Sequence, residues 1–96
     1  MAHPATAHIP KPWKIVDEFY NYNPYPKGKT VLMRLNETTY NGGGMGADHP
    51  IAWSSENATT SARMFYTGLG HTSQMYEEPF FKEHMLKGIL WASKLI

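Results

Sequence analysis

The 96-residue chain has no cysteine. That removes disulfides, thiolate metal ligands and a cysteine nucleophile, and it fits a reducing, cytoplasmic setting. No run approaches the roughly 20 apolar residues of a membrane span, and Met1 to Pro12 has no apolar stretch resembling a signal peptide. No membrane association is therefore expected. Charge of either sign is sparse: charged residues make up 18 % of the chain and the net charge is +1. The basic residues are dispersed, so the electrostatic footprint of a nucleic-acid binder is missing. There is no internal repeat. Ser54-Ser55 lacks the flanking glycines and strand-to-helix turn of a serine nucleophile elbow.

What is present is apolar and aromatic side chain, 42 % and 14 % of the chain respectively. That content argues against intrinsic disorder and for one small domain with a modest core. Residues 1–14 read as a flexible N-terminal arm and 15–96 as the domain. Residues 15–22 alternate weakly, with Ile15, Asp17, Phe19 and Asn21 on one side and Val16, Glu18, Tyr20 and Tyr22 on the other; either side could face inward. A turn-rich Asn23-Pro24-Tyr25-Pro26-Lys27-Gly28 connector leads to a second strand over 30–35. A polar, glycine-rich loop covers 36–49, and strands over 51–55 and 63–67 form an antiparallel hairpin. Glu78-Pro79 opens a helix, because proline suits the first helical position. Phe81, Met85, Leu86, Ile89 and Leu90 give that helix an apolar stripe. The pattern predicts an α+β fold: a small, mostly antiparallel sheet of about four strands with one long C-terminal helix over 79–93. One helix covers one sheet face, so the reading expects a homodimer that hides the other. A monomer in which Ile9 and Trp13 fold back over that face is the competing arrangement.

Two histidines stand where strands meet loops. Pro50 biases His49 towards extended backbone, and Gly68 and Gly70 interrupt pairing just before His71. Imidazole can exchange a proton near neutral pH, donate to a hydroxyl or bind a metal. Glu37 and Asp48 bracket the Gly42-Gly43-Gly44-Met45-Gly46 loop, and the acids Asp17 and Glu18 are adjacent on opposite faces of a strand. Glycosidic cleavage needs one acid to protonate the leaving oxygen and a second group as nucleophile or base, and these residues offer candidates for both. Tyr20, Tyr40, Trp53 and Tyr66 supply rings with polar edges for stacking on a sugar. The glycine loop lacks Gly-x-Gly-x-x-Gly spacing and leads into a strand, which speaks against nucleotide binding. His49 and His71 with Asp48 and Glu18 could make a metal set, but no compact ligand spacing supports one, and neither metal nor cofactor is expected. In the purely structural alternative, His49 caps the loop and His71 ties down a turn, while His84 is a surface or interface group on the helix.

Several separated motifs carry a resemblance: Asp17-Glu18, Glu37-Thr38-Thr39-Tyr40, Gly46 to Trp53, Arg63 to His71, and Gly88-Ile89-Leu90-Trp91-Ala92. In this order they resemble the C-terminal portion of the trehalose-utilisation (ThuA-like) family, over most of the chain after residue 15. The resemblance implies the C-terminal half of an α/β amidotransferase-like fold and a role in sugar metabolism, and it favours Glu18 as the site member of the acidic pair. The expected protein is carbohydrate-active, a hydrolase-like enzyme on glycosides. Glu18, Glu37, Asp48, His49 and His71 would form its site, with Tyr20, Tyr40, Trp53 and Tyr66 against the substrate. A noncatalytic sugar-binding or assembly module is the alternative.

Overall fold

In the computed structural model, which describes residues 2–96, three strands and one helix form in the order the sequence pattern suggests. The strands are β1 (Thr30–Leu35), β2 (His49–Glu56) and β3 (Arg63–Thr67), and the helix is α1 (Pro79–Ala92). The sheet is antiparallel in the order β1-β2-β3. In the β2–β3 hairpin, Trp53 lies opposite Tyr66 and Ser54 opposite Phe65, so these two pairs face opposite sides of the sheet. The connection is set locally: the Asn57 side-chain oxygen accepts from the amides of Thr59 and Thr60, both at 2.9 Å. Glu78 caps α1 through the Phe80 amide, with Pro79 inside the first turn.

The fourth strand does not form. Residues 15–22 are extended but join no ladder; they cross the sheet as a strap held by side chains. Their alternation is resolved in favour of one side. Trp13, Ile15, Asp17 and Phe19 are half-buried, while Lys14, Val16, Glu18 and Tyr20 are exposed. Trp13, Ile15, Phe19 and Tyr22 pack against the core of Ile51, Leu69, Met75 and Phe81. The segment before residue 15, read from the sequence as a free arm, is also docked: Ala5 and Ile9 are buried. Its anchor is His84, whose Nδ1 lies 2.8 Å from the Ala5 carbonyl and whose Nε2 lies 3.0 Å from the Thr67 hydroxyl. Since the carbonyl can only accept, Nδ1 carries the proton, and Nε2 accepts from Thr67 in the neutral ring. Burial holds that ring below its ordinary pKa, although the Ala5 carbonyl pulls the other way.

The helix therefore packs differently from its sequence stripe. Phe81, His84 and Gly88 are its buried residues. Leu86 and Ile89, expected inside, are 56 % and 62 % exposed. Gly88 sits so close to the Phe65 ring that a Cβ there would overlap it, and this lets α1 approach β3. His84 lies in the core rather than on the surface because its two polar atoms are both satisfied there.

Candidate functional site

The strap organises the polar groups. Asp17 points inward to the turn after β3, where its carboxylate accepts from three successive amides: Gly70 at 2.7 Å, His71 at 3.0 Å and Thr72 at 3.2 Å. Gly70 takes a left-handed φ of 101° in that turn, a conformation glycine adopts without strain. Glu18, on the outward side, meets the His71 ring, with Oε2 2.7 Å from Nε2. Two residues on, the Tyr20 hydroxyl lies 3.2 Å from Nδ1 of the same ring. One acid thus holds the His71 backbone and its neighbour holds the side chain. A carboxylate only accepts, so Nε2–H donates to Glu18 and, with a neutral ring, Nδ1 accepts from Tyr20. The trio is open to solvent, with the His71 and Glu18 side chains 49 % and 57 % exposed. An exposed pair of this kind contributes at most about 1 kcal/mol to stability. Its main consequence is to orient the imidazole.

Glu37 and His49 are also brought together, but inside the protein. His49 has no exposed surface. Its Nδ1 lies 2.6 Å from Glu37 Oε2, and its Nε2 donates to the Tyr20 carbonyl at 2.7 Å. The Tyr40 hydroxyl is 3.1 Å from Nδ1. Glu37 in turn accepts from the amides of Met45 at 2.9 Å and Gly46 at 3.0 Å. These amides, the first above all, hold its carboxyl below the ordinary range, with His49 adding to the effect and partial desolvation opposing it. Burial and the Glu37 charge push the Tyr40 phenol up. The glycine loop is thus wound around Glu37: Gly43 packs on its side chain with no room for a Cβ. Asn21 fastens the same loop, accepting from Gly44 N at 2.8 Å and donating to the Gly42 carbonyl at 3.2 Å.

Asp48 stands apart from both clusters. It is bound by Arg34 at 2.9 Å and by the Tyr25 hydroxyl at 3.0 Å, and these two bonds, Arg34 first, hold its carboxyl low. Trp53 and Tyr66 stack on each other with centroids 4.3 Å apart. Tyr22 closes over them, edge-on to Trp53 and hydroxyl to hydroxyl with Tyr66 at 3.0 Å. Burial, then the Tyr66 hydroxyl, raises the Tyr22 pKa well above its ordinary value. Of the four aromatic residues expected against a sugar, Tyr20 alone is exposed; Tyr40 and Tyr66 are half-buried and Trp53 is buried. Among the described residues no three His, Asp or Glu side chains come together as a metal-binding group.

These linked acids, histidines and glycine turns occur in a chain whose sequence matches the family model described as trehalose utilisation over residues 1–92. The chain belongs to the trehalose-utilisation (ThuA) family. The match takes in the N-terminal segment as well as the region after residue 15 from which the sequence resemblance was read. Comparison with curated proteins and with solved structures gave no significant match.

Within this ThuA-family chain, Asn21, Tyr22 and Tyr25 are site-organising residues that the sequence reading did not single out, and Asp17 is one that it set aside in favour of Glu18. Asp17 is the instructive case. Alternation correctly separated it from Glu18, but its three amide partners lie more than fifty positions away. Only the neighbouring Gly68 and Gly70, which marked an irregular turn, signalled that an acceptor was needed there.

Proposed function

We propose that this ThuA-family chain is a carbohydrate-active protein of hydrolase type acting on glycosides, with proton transfer centred on His71. The observation that carries the reading is the exposed imidazole held between a hydroxyl at 3.2 Å and a carboxylate at 2.7 Å. A reacting hydroxyl, a base within hydrogen-bond reach and a third group orienting the base form the general signature of an activated site. Tyr20 meets the sugar and exchanges its proton with Nδ1. Glu18 balances the charge that His71 acquires, and Asp17 keeps the ring in place. Glu37 and His49 act in support by fixing the Tyr20 backbone, and Asp48 by tying β1 to the connector before it. Tyr40, Trp53 and Tyr66 support the aromatic wall behind the strap. The family's link to trehalose utilisation supplies the substrate class.

The same reading takes the chain as the C-terminal part of a longer ThuA-like domain of amidotransferase-like fold, working in the cytoplasm as a homodimer. Leu86, Ile89, Leu95 and Ile96 supply exposed apolar surface for such an interface.

A second reading, a noncatalytic sugar-binding module, is favoured by one specific observation. Glu37 and His49 spend their hydrogen-bonding atoms on each other and on the backbone, whereas glycoside cleavage calls for two available groups. A chromogenic glycoside panel on purified chain and on an identically prepared His71→Asn variant decides between them. Turnover that disappears in the variant supports the enzyme. Saturable trehalose binding by calorimetry without turnover supports the binding module, and neither result leaves both readings without support.

A further inference from the structure

We propose that the chain carries a second ligand site, for an anionic amphiphile such as a medium-chain carboxylate, in the cleft between β1 and residues 9–15. The cleft has a volume of about 740 Å³, within the roughly 300–1,000 Å³ typical of small-molecule sites. Its walls are mainly hydrocarbon, formed by Ile9, Trp13, Ile15, Phe19, Leu32 and Leu35 among others. Most of the uncharged polar atoms in the lining are engaged with their own neighbours. The Asn36 side chain accepts from Thr38, the Asn36 carbonyl accepts from the Thr39 hydroxyl, and the Tyr40 hydroxyl is turned to His49. A sugar entering here would leave most of its hydroxyls unpaired, at a cost of about 1–3 kcal/mol for each buried one. A hydrocarbon chain would not.

Charge then selects the head group. No carboxylate lines the cleft, whereas Lys11, Lys14 and Arg34 do. Arg34 is paired with Asp48. Lys11 and Lys14 have no carboxylate partner among the described residues; Glu78, which shares a neighbouring shallow cleft with Lys14, caps the Phe80 amide instead. An apolar cleft lined by two ammonium groups without a carboxylate partner, and by no carboxylate, complements a single hydrocarbon chain ending in a carboxylate. The strap separates this site from the polar trio: Ile15 and Phe19 face the cleft, while Glu18 and Tyr20 alternate to the outside. Binding here is therefore independent of the chemistry proposed at His71.

Titration calorimetry with dodecanoate below its micellar concentration tests the site, with dodecylammonium as the charge-reversed probe. Dodecanoate should bind saturably, one molecule per chain. Lys11→Glu/Lys14→Glu, at exposed positions, should weaken it by about tenfold or more and improve dodecylammonium binding, as expected for reversal of two charges lining the cleft. His71→Asn should leave dodecanoate binding unchanged, so that failure of the glycoside reading and failure of this one remain distinguishable. Absence of saturable binding, equal affinity in the double variant, or loss of binding in His71→Asn would each overturn the proposal.

Discussion

The backbone carbonyl of Tyr20 accepts a 2.7 Å hydrogen bond from the buried His49 ring. The Tyr20 side chain, on the other side of the strap, reaches the exposed His71 at 3.2 Å. One residue thus links a buried imidazole to a solvent-facing one, and the buried ring sets where the outer hydroxyl stands. His49→Ala should therefore impair any activity indirectly, by releasing the strap. Glu37→Gln should do the same by loosening the 42–46 loop. Both variants are expected to lose thermal stability along with function, which calorimetry would detect; full stability with lost activity would mean instead that these residues touch substrate directly.

Substitutions in the outer trio should separate function from fold. His71→Asn, Glu18→Gln and Tyr20→Phe remove exposed hydrogen bonds, so each should shift stability by less than about 1 kcal/mol. Loss of the His71 acid/base group should lower turnover by about 10²–10⁴-fold. Asp17→Asn should lower turnover while the substrate KM changes little, because it displaces the turn bearing His71 and removes no group that meets the sugar. Unchanged glycoside turnover in His71→Asn would remove the trio from the mechanism.

Stability should fall as the solution is acidified. Burial keeps His84 below its ordinary value of 6.5, and His3 is shifted the same way by burial and by Arg63. The unfolded chain therefore takes up protons as the pH drops below that value while the folded chain resists, which favours unfolding. Glu37 and Asp48, held below 4.5 and 3.8, add a second loss as the pH falls below those values towards their lower folded-state ones. Thermal unfolding as a function of pH should show both limbs, and His84→Asn should flatten the first. An unaltered slope near 6.5 in that variant would show that His84 is not its source.

Gly88→Ala offers a test with an unusual sign. In an exposed helix interior the change would gain about 1 kcal/mol. Here the new methyl would overlap the Phe65 ring, which is itself packed edge-on against His84 at 5.2 Å. Overpacking costs about 1–3 kcal/mol, so the balance should be destabilising by up to about 2 kcal/mol in urea unfolding. A stabilised variant would mean that α1 does not pack on β3 in the observed manner.

Local pattern was enough for the hairpin, for β1 and for the start of α1. Period-two runs, turn residues and a proline at the first helical position act over a few residues and need no distant partner. The separation of Asp17 from Glu18 was equally local. The choice of inward face for 13–19, the docking of the N-terminal segment and the place of His84 were not. Each depends on atoms far along the chain: the Ala5 carbonyl and Thr67 hydroxyl for His84, and the 70–72 amides for Asp17. The helix stripe misled for the same reason. Leu86 and Ile89 are as apolar as any core residue, but Gly88 and His84 set the close approach to Phe65, and that face was buried instead. Residue type and the family resemblance together nominated Glu18, Glu37, Asp48, His49 and His71 as one set; tertiary structure divided them into a buried pair, an exposed pair and an Asp48 set apart with Arg34 and Tyr25. Which carboxylate meets which imidazole depends on how the strap crosses the sheet, and side chains more than ten positions apart encode that crossing only through the folded chain.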